Sequence, residues 1–222
     1  MKHKAGETHL DPASVLPLVH EALGAVMPTG RLNSWDVCER LAALATELST
    51  SGHTLGLTGY STPETVLSRL MAPSLVLLSW LSPVQSLRVV EVGSGSGALG
   101  LTLAVLAPRW HITLLDRRSR ATTFAEILAL RLRLSNVAAV TGDASHPPPD
   151  LQPGHAALFR AVGSLAADLQ LAQRVTLPRG LAVIWTSPEA PAPSTSLWRP
   201  VGNRLLPALG LSVRAFTRNR ED

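Results

Sequence analysis

Three glycines, at 93, 95 and 97, stand between an apolar strand-like run, LRVVEV, and an apolar helix-like run, SGALGLTLAVLA, that Pro108 ends. Alternate glycines at such a junction mark a backbone that turns sharply without a Cβ in the way and lets something approach it closely. The strand–turn–helix is the first of a series. HITLLD (residues 111–116) reads as a second strand, followed by a helix through residues 119–134 and a third strand, VAAVTGD, over residues 137–143. After the loop SHPPPDLQPG come a brief fourth strand over residues 157–159, a helix over 164–175, a turn LPRG and a fifth strand, LAVIWTS. The loop PEAPAPSTSLWRP then leads to a last helix and a final strand, LSVRAFT. Strands alternating with helices of this length predict βαβ units: an α/β, doubly wound, parallel sheet with helices on both faces.

The chain before residue 85 has a different period. Asp11-Pro12 is a helix-start signal, and Asn33-Ser34 caps a stronger helix with Val37, Leu41, Leu44, Ala45 and Leu48 on one face and Gly52 as its stop. Thr62-Pro63-Glu64 opens a third helix, which Pro73 should end or kink before the apolar segment SLVLLSWL. The expected division is therefore a helical cap over residues 1–84 and an α/β domain over 85–222.

Composition narrows the class. With 45% hydrophobic residues in 222 there is material for a real core, which excludes a largely disordered chain. The longest apolar stretch, between Pro73 and Pro83, falls far short of the ~20 residues of a membrane span, and MKHKAGETHLDP has no apolar segment after its basic residues, so neither a membrane partner nor a secretory signal is expected. A lone Cys38 excludes internal disulfides and a multi-thiolate zinc site; His146 and His155 read as solvated loop residues, and no metal is expected. The net charge of +4 permits an anionic partner such as nucleic acid.

The chemistry-bearing residues fall at strand ends. Glu91 stands two residues before Gly93; Asp116 closes the second strand; Asp143 closes the third. In a doubly wound sheet an acid at the end of the second strand faces the ribose hydroxyls of a bound nucleoside. Residues 95–100 literally fit GxGxxG, the dinucleotide pattern of a nicotinamide-dependent oxidoreductase, but that frame begins two residues too late relative to the strand end. An acid two before the first glycine, then G-x-G-x-G, is the S-adenosylmethionine form, with Glu91 organising the loop. The strand-end position of Glu91 favours the methyl donor. A third possibility is a non-catalytic module that keeps the pocket. After the fourth strand the chain reads Phe159-Arg160-Ala161-Val162, not the D/N-P-P-Y/F of enzymes that methylate exocyclic amines, and Cys38 in the cap is no nucleophile for cytosine C5. Trp110, Trp185 and Trp198 read as core or loop-packing aromatics.

These motifs together resemble the RsmG/GidB family, which methylates N7 of a guanine in 16S ribosomal RNA near the decoding site. The family's N-L-T-[SG] reads here Gly56-Leu57-Thr58-Gly59, with Pro63-Glu64, Arg69 and Ser74 at the family spacing. Its D-V-G-[ST]-G-x-G-x-P-G reads Glu91-Val92-Gly93-Ser94-Gly95-Ser96-Gly97-Ala98-Leu99-Gly100, and its S-R-A-[FV] reads Phe159-Arg160-Ala161-Val162; Asp116, Phe124 and Asn136 keep their places. The resemblance implies a Rossmann-like, S-adenosylmethionine-dependent (class I) methyltransferase fold. It implies S-adenosyl-L-methionine held by Glu91, Gly93, Gly95, Gly97, Ala98, Asp116, Asp143, Ala144, Ser145 and Arg160, and 16S rRNA or the small ribosomal subunit, met by Arg160, Arg69 and Arg120, as partner in the cytoplasm. No residue is expected to act as a chemical catalyst, because guanine N7 carries no proton to remove. Arg160 is expected either to contact guanine O6 or a phosphate, or to pair with a carboxylate such as Asp143 and brace the pocket. The sequence departs from the family at Leu70 and Pro73, Arg120-Ala121, Asp143-Ala144-Ser145 and Trp185-Thr186, where the family carries a histidine and an aspartate, Lys-Arg, Arg-[AV]-Glu and a lysine.

Overall fold

The computed structural model describes residues 9–24, 30–160, 162–193 and 195–219. The opening segment read for a signal thus lies mostly outside the described residues, as does Ala161 of the fourth-strand motif.

The cap is mainly helical over its described length, with a loop at residues 57–62. The side chain of Asp11 accepts the Ala13 amide at 3.0 Å and opens a short 3-10 turn, Pro12–Ser14, that leads into α1 (Val15–Leu23). Helix α2 (Trp35–Glu47) buries Val37, Leu41, Leu44 and Ala45 as the apolar spacing requires. It does not stop at Gly52. The winding widens into a π-helical turn over Leu48–Gly52 and runs on to Gly56, whose φ of +66° supplies the left-handed stop. Gly52 instead gives room to Phe124, whose Cζ lies 3.4 Å from where a Cβ would stand. Helix α3 (Pro63–Val66) also widens, over Leu67–Met71, and at Pro73, which has no amide to donate, tightens to a 3-10 helix over Ala72–Ser79.

Seven strands follow: β1 (Arg88–Val92), β2 (His111–Asp116), β3 (Val137–Thr141), β4 (Gly154–Arg160), β5 (Thr176–Thr186), β6 (Trp198–Leu206) and β7 (Leu211–Arg218). Helices α4 (Ala98–Leu106), α5 (Ser119–Arg131) and α6 (Leu165–Val175) connect them. The order across the sheet is β3-β2-β1-β4-β5-β7-β6; β1 to β5 pair in parallel and β7 is antiparallel to both its neighbours. Two expectations need correction. The sheet is mixed, not parallel throughout, and the expected last helix is strand β6, with only a 3-10 turn, Pro207–Leu209, before β7. The segment WRPVGNRLL has proline and glycine in its middle, which disfavour a helix. An edge strand tolerates both, and here they flank a bulge between Pro200 and Gly202. The LPRG turn exists as an outward loop inside β5: Thr176 pairs with Gly154 but the next partners are Leu181 and Ala156, with Arg179 at φ +62° between them.

The strand order reverses between β1 and β4, so a crevice opens at their carboxyl ends. One face of the sheet carries α6 over Val92, Phe159 and Phe216. The other carries α4 and α5, and the cap lies on top of them, so that one continuous core runs from Leu10 through Leu41, Leu101 and Leu128 to Ala215. Every residue of α4 is buried, because the helix is covered by the sheet below and α2 above. Trp110, Trp185 and Trp198 are buried core residues, as is Cys38, whose thiol donates to the Leu32 carbonyl.

The low seat of α4 depends on Gly100. A Cβ there would stand 2.3 Å from Leu114 Cδ2 and 2.7 Å from Glu91 Oε2. Gly100→Ala is expected to destabilise the protein by about 1–3 kcal/mol, the usual cost of overpacking a filled site. A differential melting experiment on the two proteins should show a fall of several degrees.

Candidate active site

The crevice is shaped by the turn from β1 to α4. Gly93, Gly95 and Gly97 have φ of +64°, +57° and +74°, a region closed to most side chains. The turn is stitched to the sheet and to itself, the Ser94 amide donating to the Leu115 carbonyl at 3.1 Å and the Gly97 amide to the Ser94 carbonyl at 2.8 Å. Gly97 caps α4 and packs on Leu114, Leu101 and Ala125; it shapes the turn rather than facing the crevice.

Two cavities meet at Gly93. The larger, about 440 Å³, is lined by Asp116, Arg118, Asp143, Ala144, Ser145 and Val162 among others. The smaller, about 260 Å³, lies between the glycine turn with Glu91 and Arg160 on one side and Leu57, Tyr60 and Leu70 of the cap on the other; Ala98 also lines it. Val162 arches over the junction: a Cβ at residue 93 would stand 2.9 Å from its Cγ2.

The charged groups have distinct surroundings. Glu91 is buried, and its Oε2 accepts the Gly100 amide at 2.8 Å. Burial pushes its carboxyl up to about 8, against the opposing pull of the Gly100 amide and the Arg160 charge. Burial also works to raise the Asp116 carboxyl, but the Arg118 hydrogen bonds and charge, with the Gly95 amide, outweigh it and hold the group below the ordinary range. Asp143 accepts the Ser145 amide at 2.8 Å and the Ser145 hydroxyl at 2.7 Å, which hold its carboxyl low. Arg160 donates through Nη1 to the Leu70 carbonyl at 2.8 Å and through Nη2 to the Arg69 carbonyl. Burial lowers its pKa, while Tyr60 and Glu91 favour its charge.

The structure therefore gathers Glu91, Gly93, Gly95, Ala98 and Arg160 around the smaller cavity and Asp116, Asp143, Ala144 and Ser145 around the larger. It does not gather the other two arginines. Arg69 offers its carbonyl to Arg160, while its side chain lines a separate cleft with Glu64 and Leu209; Arg120 is exposed on the first turn of α5 and lines neither cavity. Nor does Arg160 brace Asp143, because its two terminal nitrogens reach the cap instead. His155 is not a loop residue: it lies in β4 and accepts the Arg88 amide on Nδ1 at 2.9 Å. Sequence reasoning missed Arg118, Tyr60 and Ser94. Arg118 stands two residues past the strand-end acid, where its own amide and its guanidinium can both reach that carboxylate; this spacing was the available signal. Among the described residues no three His, Cys, Asp or Glu side chains gather to hold a metal, and no helix is long and apolar enough to cross a membrane.

A left-handed glycine cradle, a buried Ser94 hydroxyl without a partner beside it, an acid under the turn and acids at the next two strand ends fit S-adenosylmethionine. With the sheet order, they define a class I S-adenosylmethionine-dependent methyltransferase. Solved structures of similar fold include a variant of MtNAS in complex with S-adenosylmethionine, at TM-score 0.58 and 15% identity over 95% of this chain and 93% of that one. Another is TrmN from Thermus thermophilus, at TM-score 0.54 and 20% identity over 66% of this chain and 48% of that one. The profile of rRNA small subunit methyltransferase G (GidB) matches residues 37–188. The ribosomal RNA small subunit methyltransferases G of Burkholderia lata and Burkholderia cenocepacia are 31% and 30% identical to it over 74% of this chain and 72% of theirs. The chain belongs to the rRNA small subunit methyltransferase G family and is an S-adenosylmethionine-dependent rRNA methyltransferase. The dinucleotide alternative has no support from these matches.

The raised Glu91 carboxyl has a consequence for stability. In the folded, ligand-free protein it keeps its proton to about 8, whereas unfolded it ionises near the ordinary 4.5. The folded state then holds the extra proton, so this contribution to stability is full below the unfolded value and is lost as pH rises from there through about 8. Glu91→Gln keeps an acceptor for Gly100 and removes the titration. Melting temperatures of the two ligand-free proteins, scanned across that window, should show the wild type losing ground to the variant as pH rises.

Proposed function

We propose that this enzyme transfers the methyl group of S-adenosylmethionine to N7 of a guanine in 16S rRNA near the decoding site, acting on the rRNA or the small ribosomal subunit in the cytoplasm. The observation that carries the reading is the meeting of two cavities at Gly93: one lined by Asp116 and Asp143, one roofed by Leu57, Tyr60 and Leu70. Asp116 and the Asp143-Ala144-Ser145 turn would hold the ribose and adenine. Glu91, Gly93, Gly95, Gly97 and Ala98 would form and line the turn around the methionine end. Residues 1–84 act as the cap over the target base and residues 85–222 as the donor-binding unit.

When bound, the donor supplies an electrophilic methyl on a sulfonium. Guanine N7 has a lone pair and no hydrogen, so no side chain need act as a base, and the contribution of the protein is alignment. Arg160 suits that task. Its guanidinium has five N–H donors, of which the Leu70 and Arg69 carbonyls take two, fixing the cap over the cavity. The remaining edge can meet guanine O6 or a phosphate without crowding N7. Arg69 and Arg120 lie outside the cavities and would meet only the flanking RNA.

The test is labelled methyl transfer to small-subunit particles lacking native modifications, followed by mapping of the label. Methylation at a guanine N7 is expected; label at another position overturns the target, and S-adenosylhomocysteine binding with no transfer to any small-subunit rRNA supports the non-catalytic alternative. Gly93→Val should lower S-adenosylhomocysteine affinity at least about tenfold, or ~1.4 kcal/mol, because the side chain would meet Val162 and the φ forbids it. Arg160→Ala should instead cut the single-turnover rate roughly ten- to a hundredfold, the loss of one charge-assisted contact of ~1.5–3 kcal/mol. An unchanged rate would remove the substrate role.

A further inference from the structure

Asp116 accepts four hydrogen bonds. Its Oδ2 takes the Gly95 amide at 2.8 Å and Arg118 Nη2 at 3.2 Å, and its Oδ1 takes the Arg118 amide at 2.9 Å and Arg118 Nε at 3.1 Å. A carboxylate has about four lone-pair sites, so Asp116 is saturated by the protein itself. A ribose diol brings two further donors, and two of the present ones must leave to admit them. The Gly95 and Arg118 amides are fixed by the backbone. The guanidinium is not, since the Arg118 side chain is 58% exposed while Asp116 is 5% exposed. The neighbouring acid is served from the same turn: Arg117 Nη1 lies 3.9 Å from Asp143 Oδ2, with its side chain 79% exposed. Arg120 stands exposed two residues past Arg118. Three arginines thus sit within residues 117–120, the first two of them on the rim of the larger cavity and both turned onto acids that the nucleoside would claim.

We propose that Arg118 is a counter-ion displaced by the nucleoside: it satisfies Asp116 in the ligand-free protein and, once a ribose diol takes its place, swings outward to join Arg117 and Arg120 as a contact for RNA phosphates. The inference rests on the reading that Asp116 holds the ribose. It makes the cofactor and the RNA each favour the binding of the other, since whichever arrives first draws Arg118 off Asp116, and the coupling must be equal in both directions. It also gives the β2–α5 turn a task that the cavity lining alone does not explain.

The test uses S-adenosylhomocysteine, which has no sulfonium charge, so the measurement reads hydrogen-bond competition and not repulsion by the arginine. Calorimetry is run on wild type, Arg118→Gln and Arg118→Lys, and 16S rRNA binding is measured with and without saturating S-adenosylhomocysteine. Arg118 gives no side-chain cap to α5, so the variants are expected to fold. Arg118→Gln should bind S-adenosylhomocysteine about three- to tenfold tighter, because the competent state no longer has to be vacated. Wild type should bind rRNA more tightly by a similar factor when the ligand is present, and Arg118→Gln should lose that gain. Arg118→Lys, which keeps the charge but not the forked pairing, should tighten S-adenosylhomocysteine while holding rRNA affinity near wild type. Unchanged or weaker S-adenosylhomocysteine binding by Arg118→Gln, or an undiminished rRNA gain in it, overturns the proposal. If wild type itself binds no S-adenosylhomocysteine, the ribose-site reading falls first, and this inference with it.

Discussion

The cleft depends on how closely α4 approaches β1 and β2. That distance is set where Gly100 faces Leu114 and Glu91, and where left-handed Gly97 lets the helix begin directly over the sheet. With α4 seated so low, the Gly100 amide reaches the buried Glu91 carboxyl and closes the turn from beneath. The outer side of α4 is then free to carry a second layer, and α2 occupies it. The loop around Leu57 and Tyr60 thereby comes down over the glycine turn, and Arg160 ties the cap to the sheet through two backbone carbonyls. A wider helix–sheet spacing would leave neither a closed turn nor a roof.

Much of this is legible in the sequence alone. The glycine turn, the acids at residues 91, 116 and 143 and the alternation of strands and helices are local features whose chemistry fixes their geometry. Three elements were not legible, each for a physical reason. Strand β6 has no clean alternation, since only its end residues, Trp198 and Leu206, are buried, so its pattern did not separate it from a helix. Gly52 looked like a stop because glycine usually is one; its small size serves Phe124, a contact 72 residues away that no window reveals. The partners of Arg160 lie 90 and 91 residues away in the cap, where backbone carbonyls carry no sequence signal at all.

The departures from the family pattern fall into place unevenly. Asp143-Ala144-Ser145 forms a compact turn in which the serine serves the aspartate, a self-contained lining for the larger cavity. Trp185, where the family has lysine, is buried in the core beside Arg160 on the neighbouring strand, so this position offers no cation to the cleft. Pro73, where the family has aspartate, resets the winding of the cap's last helical segment. The β2–α5 turn keeps one cation of the family's pair, at Arg120, and carries two more, Arg117 and Arg118.

Trp80, near the end of the helical region, lies against the outermost strand, its indole so near that a Cβ on Gly202 would stand 2.7 Å from Nε1. The same core that begins at Leu10 reaches Ala215, and Arg40 and Glu47 of α2 bond the end of α5 at 2.7 Å each. Cap and sheet therefore share one hydrophobic interior with contacts at both its margins. Such a layout makes the cap a poor candidate for a swinging lid: hinging it open would strip α4 of its cover and expose Leu101 and Leu103 to water. Access to the cleft is then left to the short loops at its mouth, and a chain built this way is expected to melt as a single cooperative body rather than as a base with a detachable roof.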